Sequence, residues 1–277
     1  MIRIIGLDLD GTVLTRKKEL TAANRAALQE AAENGIYIVP VPGRPLSGVP
    51  EQIMDLPFIR YVITSNGAVT TDRSSGNVIR ERYMTAETAH RTLVAAEGEG
   101  IIREYFAEGF GFHDAGTRKL LWKRFEGTPV LQYLKKSRVQ VEDLYGGLGG
   151  RGRGIENISI MCPTPEEKAR VLERVKEIEG IRIIYPWPTD LEITSEKADK
   201  GEALLSLAGL LGLSKEEVMA MGDGNNDLGL MNAAGLSVAM GNSSREVLEA
   251  ADHVTEDNEH DGVAAAIKRY VLVEGEN

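Results

Sequence analysis

Two apolar runs, far apart in the chain, each end in an acidic, glycine-bearing loop. Ile2 to Leu7 runs into Asp8-Leu9-Asp10-Gly11-Thr12, and Val218 to Met221 runs into Gly222-Asp223-Gly224-Asn225-Asn226-Asp227. An unbroken apolar run that stops at a loop is the pattern of a strand covered on both faces, as in a parallel sheet. After the first loop, Thr21 can cap a helix from Ala22 to Asn34, with Gly35 placed to stop it. A further apolar run, Ile36 to Val41, follows at once. Strand, helix and strand make a βαβ unit, whose sheet is parallel. Tyr61 to Thr64 offers a third strand.

The rhythm then lapses. Val69-Thr70-Thr71 and Val78-Ile79-Arg80 flank a turn-rich hexapeptide, which predicts an antiparallel hairpin. From Met84 to Pro188 the signals are mixed: a helix over Thr85 to Glu97, an aromatic stretch without clear pattern, a strand over Asn157 to Met161, a helix over Pro165 to Ile178 and a strand over Ile181 to Tyr185. Beyond Pro188 the α/β pattern returns. It gives a helix over Asp199 to Leu211, strands over Val218 to Met221 and Ser237 to Met240, and a closing helix over Gly262 to Val271. Ser214 with Glu217 and Ser243 with Glu246 have capping-box spacing. The chain has 277 residues, and at about 150 per domain that suggests two. The expected class is α/β, with a Rossmann-like doubly wound parallel-sheet core built from 1–83 and 189–277 and an inserted α+β domain over 84–188.

Composition narrows the function. A formal net charge of −10 repels phosphate backbones and argues against a nucleic-acid partner, so an anionic ligand would need a metal ion or a few placed cations. The single cysteine, Cys162, excludes an intramolecular disulfide framework, and it is a poor candidate for a catalytic thiol. No window reaches the about 18 apolar residues of a membrane span and the N-terminus lacks a signal-peptide pattern, so a cytoplasmic location without membrane association is expected. The run from Gly146 to Gly154 is rich in glycine and holds Arg151 and Arg153. It lacks the Lys-Ser/Thr of a phosphate loop and reads as a surface loop. Assembly state carries no signal.

Ligands of open parallel sheets bind beyond the carboxyl ends of the strands, so the two acidic loops should meet there. Asp8 and Asp10 are two apart and can lean the same way, with Asp223 and Asp227 facing them. Four carboxylates crowded without a cation would repel one another. An all-oxygen donor set with no histidine or cysteine spacing favours Mg²⁺ over Zn²⁺. His113, His253 and His260 have no metal spacing.

Taken in order, Asp8-Leu9-Asp10-Gly11-Thr12, Lys200 in Asp199-Lys200-Gly201, and the 222–227 loop resemble the first, third and fourth motifs of the haloacid dehalogenase superfamily. Gly43-Arg44, Ser65-Asn66-Gly67-Ala68 and the large insertion after them resemble its Cof-type phosphatases, in which the insertion is a cap. The resemblance implies that Asp8 is a nucleophile forming an aspartyl-phosphate, and that Asp10 protonates the leaving alcohol and then activates water. It implies Mg²⁺ on the Asp8 side chain, the Asp10 carbonyl and Asp223, with Asp227 in support. Lys200 would hold the phosphoryl group, with Lys197 the fallback. Gly43, Arg44, Asn66 and Asn226 would bind substrate, a small phosphorylated metabolite such as a sugar phosphate.

The sequence departs from that pattern at one position. The family places Thr or Ser at the end of the second strand, and here the residue is Pro42, which offers neither hydroxyl nor N–H. Backbone N–H groups of Gly43 or Arg44, or the Ser65 hydroxyl, could substitute. A phosphosugar mutase, or a phosphate-binding regulatory protein with weakened turnover, stays open beside the phosphatase. In the cap, Tyr185 and Trp187 either wall the leaving group or pack within the domain.

Overall fold

The computed structural model describes residues 1–149 and 154–272. The chain divides into two compact units. The first holds Met1–Gly43, Pro50–Arg80 and the chain from Asp199 onward, and the second holds Arg44–Val49 and Glu81–Ala198. Among the described residues no helix is long and apolar enough to cross a membrane.

The first unit is built on a five-stranded parallel sheet. In spatial order its strands are His253–Val254, Leu236–Ala239, Val218–Gly222, Ile4–Leu7 and Tyr37–Pro40. Alternation along Ile4–Leu7 shows why the sheet is covered on both faces. Ile4 joins the cluster of Ala203, Leu204 and Leu207 from the helix Lys200–Leu210. A Cβ on Gly6 would come within 2.4 Å of Leu204, so that face closes only over glycine. Leu7 turns the other way and lines a small apolar recess with Leu28, from the helix Ala22–Glu33, and Ile38. The Ala22–Glu33 helix starts where Thr21 accepts a hydrogen bond from the Asn24 N–H, and Gly35 beyond it takes φ +79°. The box at Ser214 and Glu217 forms on a single 3₁₀ turn. The one expected at Ser243 does not: the cap of Arg245–Ala250 is Ser244, and Ser243 Oγ bonds the Gly222 carbonyl.

Tyr61–Thr64 packs beside Tyr37–Pro40 but ladders with Val69–Asp72, which with Asn77–Glu81 makes a separate three-stranded sheet. Proline explains the break. Tyr37 and Val41 send their N–H groups to Arg3 and Leu7 on one side, so by alternation residues 38, 40 and 42 face the other side. Two of those three are Pro40 and Pro42, which have no N–H to give.

The second unit carries a six-stranded sheet in the order Ile181–Ile184, Asp190–Ser195, Asn157–Met161, Ile102–Ala107, Phe110–His113 and Arg138–Gln140. All neighbours are antiparallel except the last pair. Helices Ala86–Ala95 and Pro165–Val175 pack Leu93 and Val171 against Ile158, Ile160 and Ile193. On the other face, Leu121 and Leu134 from helices Ala115–Arg124 and Val130–Ser137 meet Ile102 and Met161. Three differences from the expected partition follow, the first being a start at Glu81 rather than at 84. Asp190–Ser195 belongs to this sheet, so the unit runs to Ala198 rather than to 188. Arg44–Val49 also joins it: Ser47 N–H bonds the Gly109 carbonyl at 2.9 Å, and the Arg44 guanidinium lies 4.8 Å from the Tyr133 ring centre.

Candidate active site

The core of the site is a buried ammonium. Lys200 is 1% exposed, and its Nζ lies 2.6 Å from Asp8 Oδ1 and 2.7 Å from Asp227 Oδ1. The sequence folds this way because Asp199 caps the Lys200–Leu210 helix by accepting from the Glu202 N–H, which aims the first helical residue at the end of the Ile4–Leu7 strand. Lys197 is exposed. Burial alone would lower the affinity of Lys200 for its proton, but Asp227 and Asp8 outweigh it and raise the pKa above the usual lysine value.

Three acids surround this ammonium. Asp8, Asp223 and Asp227 each bring a carboxylate oxygen within 4.8 Å of the others. Burial pushes the Asp8 carboxyl well above its ordinary range, with Lys200 opposing and the neighbouring acids adding to the rise. Asp223 is pushed up to about 6, again mainly by burial and then by Asp227. Asp227 is fully engaged: besides Lys200, its Oδ2 accepts the N–H groups of Asp223 and Gly224, both at 3.0 Å. It therefore holds the loop in shape. Three carboxylates around one ammonium leave a formal charge of −2, and the donors are all hard oxygens. Both features fit a divalent cation such as Mg²⁺.

Asp10 stands differently from expectation. Its carboxylate is not in the oxygen cluster but pairs with Lys18 Nζ at 2.7 Å. The cause is local: Lys18 sits at φ +64°, and its carbonyl accepts from the Gln52 amide at 2.6 Å, a fixed turn that presents the ammonium to Asp10. Of the expected substrate contacts, the structure brings three together. Asn226 Nδ2 donates to Asn66 Oδ1 at 3.2 Å, and a Cβ on Gly43 would stand 2.9 Å from that same oxygen. Asn66 and Ser65 both have positive φ, and the Asn66 N–H reaches the Pro42 carbonyl at 3.3 Å. Arg44 falls in the second unit, on Tyr133.

Sequence reasoning missed three residues. Thr12 Oγ1 donates to Asp223 Oδ1 at 3.0 Å, Asn242 Nδ2 donates to Asp223 Oδ2 at 3.3 Å, and Lys18 pairs with Asp10. Asn242 could have been found, because it follows the Leu236–Ala239 strand and so sits at a carboxyl end of the parallel sheet.

Other sequence candidates lie elsewhere. Tyr185 and Trp187 are exposed at 49% and 67%, so they do not form a packed interior. Cys162 is buried and its thiol is pushed up to about 11, which makes it a poor nucleophile. In the 146–154 loop, Leu148 packs into the second unit's core, while Arg151 and Arg153 lie outside the described residues. No described histidine joins a metal-sized cluster.

Comparison with known proteins matches residues 5–267 to the haloacid dehalogenase-like hydrolases. The chain belongs to that family. It is 30% identical to the 5-amino-6-(5-phospho-D-ribitylamino)uracil phosphatase YcsE of Bacillus subtilis, over 98% of this chain and 96% of that protein. It is 29% identical to the phosphatase YwpJ of the same organism, over 96% and 99%. A solved haloacid dehalogenase-like hydrolase from B. subtilis superposes with a TM-score of 0.85 at 29% identity, covering 98% of this chain and all of the other. YcsE and YwpJ are phosphatases, and the haloacid dehalogenase-like chain described here is an enzyme of the same hydrolase class.

Proposed function

We propose that this protein is a Mg²⁺-dependent phosphatase that hydrolyses small phosphorylated metabolites, sugar phosphates among them, through an aspartyl-phosphate on Asp8. The observation that carries the reading is the buried Lys200 bridging Asp8 and Asp227, with Asp223 close enough to complete an oxygen cluster. Lys200 engages one oxygen of Asp8, and the other accepts no hydrogen bond among the described residues. A Mg²⁺ ion would be held by the Asp8 carboxylate, the Asp10 carbonyl and Asp223, and when bound it offsets charge on the phosphoryl group. Asp8 forms a bond to phosphorus as the ester P–O bond breaks, and the leaving oxygen takes a proton from Asp10. Asp10 then removes a proton from water, which attacks phosphorus, frees inorganic phosphate and restores Asp8.

Lys200 keeps its proton throughout and meets the negative oxygens. Asn66, Asn226 and the N–H of Gly43 take over part of the task of the donors that Pro42 lacks. Release of phosphate from an aryl phosphate tests the proposal. Turnover should require Mg²⁺, stop with EDTA and vanish in Asp8→Asn; release that persists in Asp8→Asn would overturn it. Trapping of a phosphorylated sugar product instead of free phosphate would point to a mutase, and ligand binding without any release to a regulatory protein.

A further inference from the structure

We propose that Asn242, outside both acidic motifs, is a positioning residue that holds the Asp223 carboxylate in its metal-binding pose. The inference rests on the reading of Asp223 as a ligand. Asn242 Nδ2 donates to the Gly11 carbonyl at 2.9 Å and to Asp223 Oδ2 at 3.3 Å. Its Oδ1 accepts the Asn258 N–H at 3.0 Å. Because a backbone N–H can only donate, that bond fixes which end of the amide faces Asp223. Asn258 is itself anchored: it is buried, and its side-chain amide donates to the Leu14 carbonyl at 2.8 Å. One exposed side chain thus ties the 8–14 loop, the 222–227 loop and the segment around Asn258 to one another.

The arrangement on Asp223 is two-sided. Thr12 donates to Oδ1 and Asn242 to Oδ2, so each oxygen has one neutral donor. A neutral donor fixes the direction of a carboxylate without cancelling the charge a metal needs, whereas a lysine there would compete with the ion. Gly11 lets the carboxylate lie against the loop, since a Cβ at that residue would stand 2.3 Å from Oδ2, at φ +92°. Asn242 is exposed, so shortening it opens no cavity; the lost bonds to Gly11 and Asn258 cost stability with or without the ion, and the lost bond to Asp223 falls on metal affinity.

The test is the melting temperature of the full chain as MgCl₂ is titrated. Wild type should be stabilised by the ion, as any ligand of the folded state stabilises it. In Asn242→Ala the midpoint of that response should move to about 10-fold or more higher Mg²⁺, the usual effect of losing an outer-shell partner. The melting temperature without Mg²⁺ sets each variant's own baseline, and aryl phosphate turnover should recover towards wild type once Mg²⁺ saturates. Asn242→Ser keeps a donor and should fall between; if the alanine variant does not fold, the serine variant decides. Midpoints equal to wild type overturn the inference. If Asp223→Asn abolishes the response while the Asn242 variants keep the wild-type midpoint, only this inference falls. A wild type with no Mg²⁺ response removes the metal reading along with it.

Discussion

At the scale of single residues, the chemistry depends on one cation and one absent donor. Lys200→Met would leave Asp8 and Asp227 buried without their ammonium, and removing one partner of a buried ion pair costs about 3–5 kcal/mol. Urea denaturation at pH 7 should show that loss. It should shrink as pH falls, because Asp8, already raised by burial, takes up a proton and sheds the uncompensated charge. Pro42→Thr supplies the hydroxyl that the family pattern contains. As loss of one such donor costs on the order of 10²–10³ in rate, the variant should release phosphate at least about tenfold faster than wild type. An unchanged kcat would show that Asn66, Asn226 and the backbone already do that task. The grouping of Asp8, Asp223, Asp227 and Lys200 was legible because each sits in a short motif at a strand end or helix start, whereas the turn that draws the Asp10 carboxylate to Lys18 has no such motif. Asn242 was harder to see, because its one sequence signal is its place after the Leu236–Ala239 strand, and its partners Gly11 and Asp223 lie elsewhere in the chain.

At the scale of elements, legibility followed periodicity. Tyr61–Thr64 and Asn157–Met161 appear with the expected bounds because the first is a compact β-branched run and the second alternates, with Ile158 and Ile160 on one core face. Ala115–Arg124 was lost in the aromatic stretch because it buries only Thr117 and Leu121 and so shows no apolar stripe. Asp190–Ser195 does alternate, with Leu191 and Ile193 inward, but the boundary drawn at Pro188 assigned it to the core. The hairpin after Tyr61–Thr64 offers a pH test. Asp72 accepts from the Ser74 hydroxyl at 2.6 Å, from Arg60 at 3.2 Å and from the Ser74 N–H at 2.9 Å, and these bonds hold its carboxyl down at about 2. Its unfolded value is about 3.9. A lowered acid contributes stability that is complete above the unfolded value and is lost as pH falls through the folded one. The melting temperature of Asp72→Asn should therefore lie below wild type at pH 6, and the gap should close between about pH 4 and pH 2. A gap that stays constant would sink this account.

At the scale of the whole molecule, the discontinuous core is the main consequence of the insertion. The chain leaves the first unit after Arg80 and returns at Asp199. Both points converge on Gly67: Arg80 Nη1 donates to its carbonyl at 2.8 Å, and a Cβ there would stand 2.2 Å from the Asp199 carbonyl. A version with 81–198 replaced by a short Gly-Ser linker should keep a cooperative melt by circular dichroism, and Mg²⁺ should still raise its melting temperature. A non-cooperative melt would show that the first unit depends on the second for its folding. The overall α/β pattern was readable because the two halves of the core share one grammar, whereas the partition was blurred by Arg44–Val49, six residues whose packing no local pattern announces.

Gly67 also bears on how such a molecule changes over generations. Points of departure and return that both touch one glycine form a graft point, where a visiting cassette can be exchanged or lengthened while the host's hearth of acids and lysine is left untouched. A larger side chain at that junction would push the returning chain away at Asp199, so the smallest residue keeps the two ends of the cassette together.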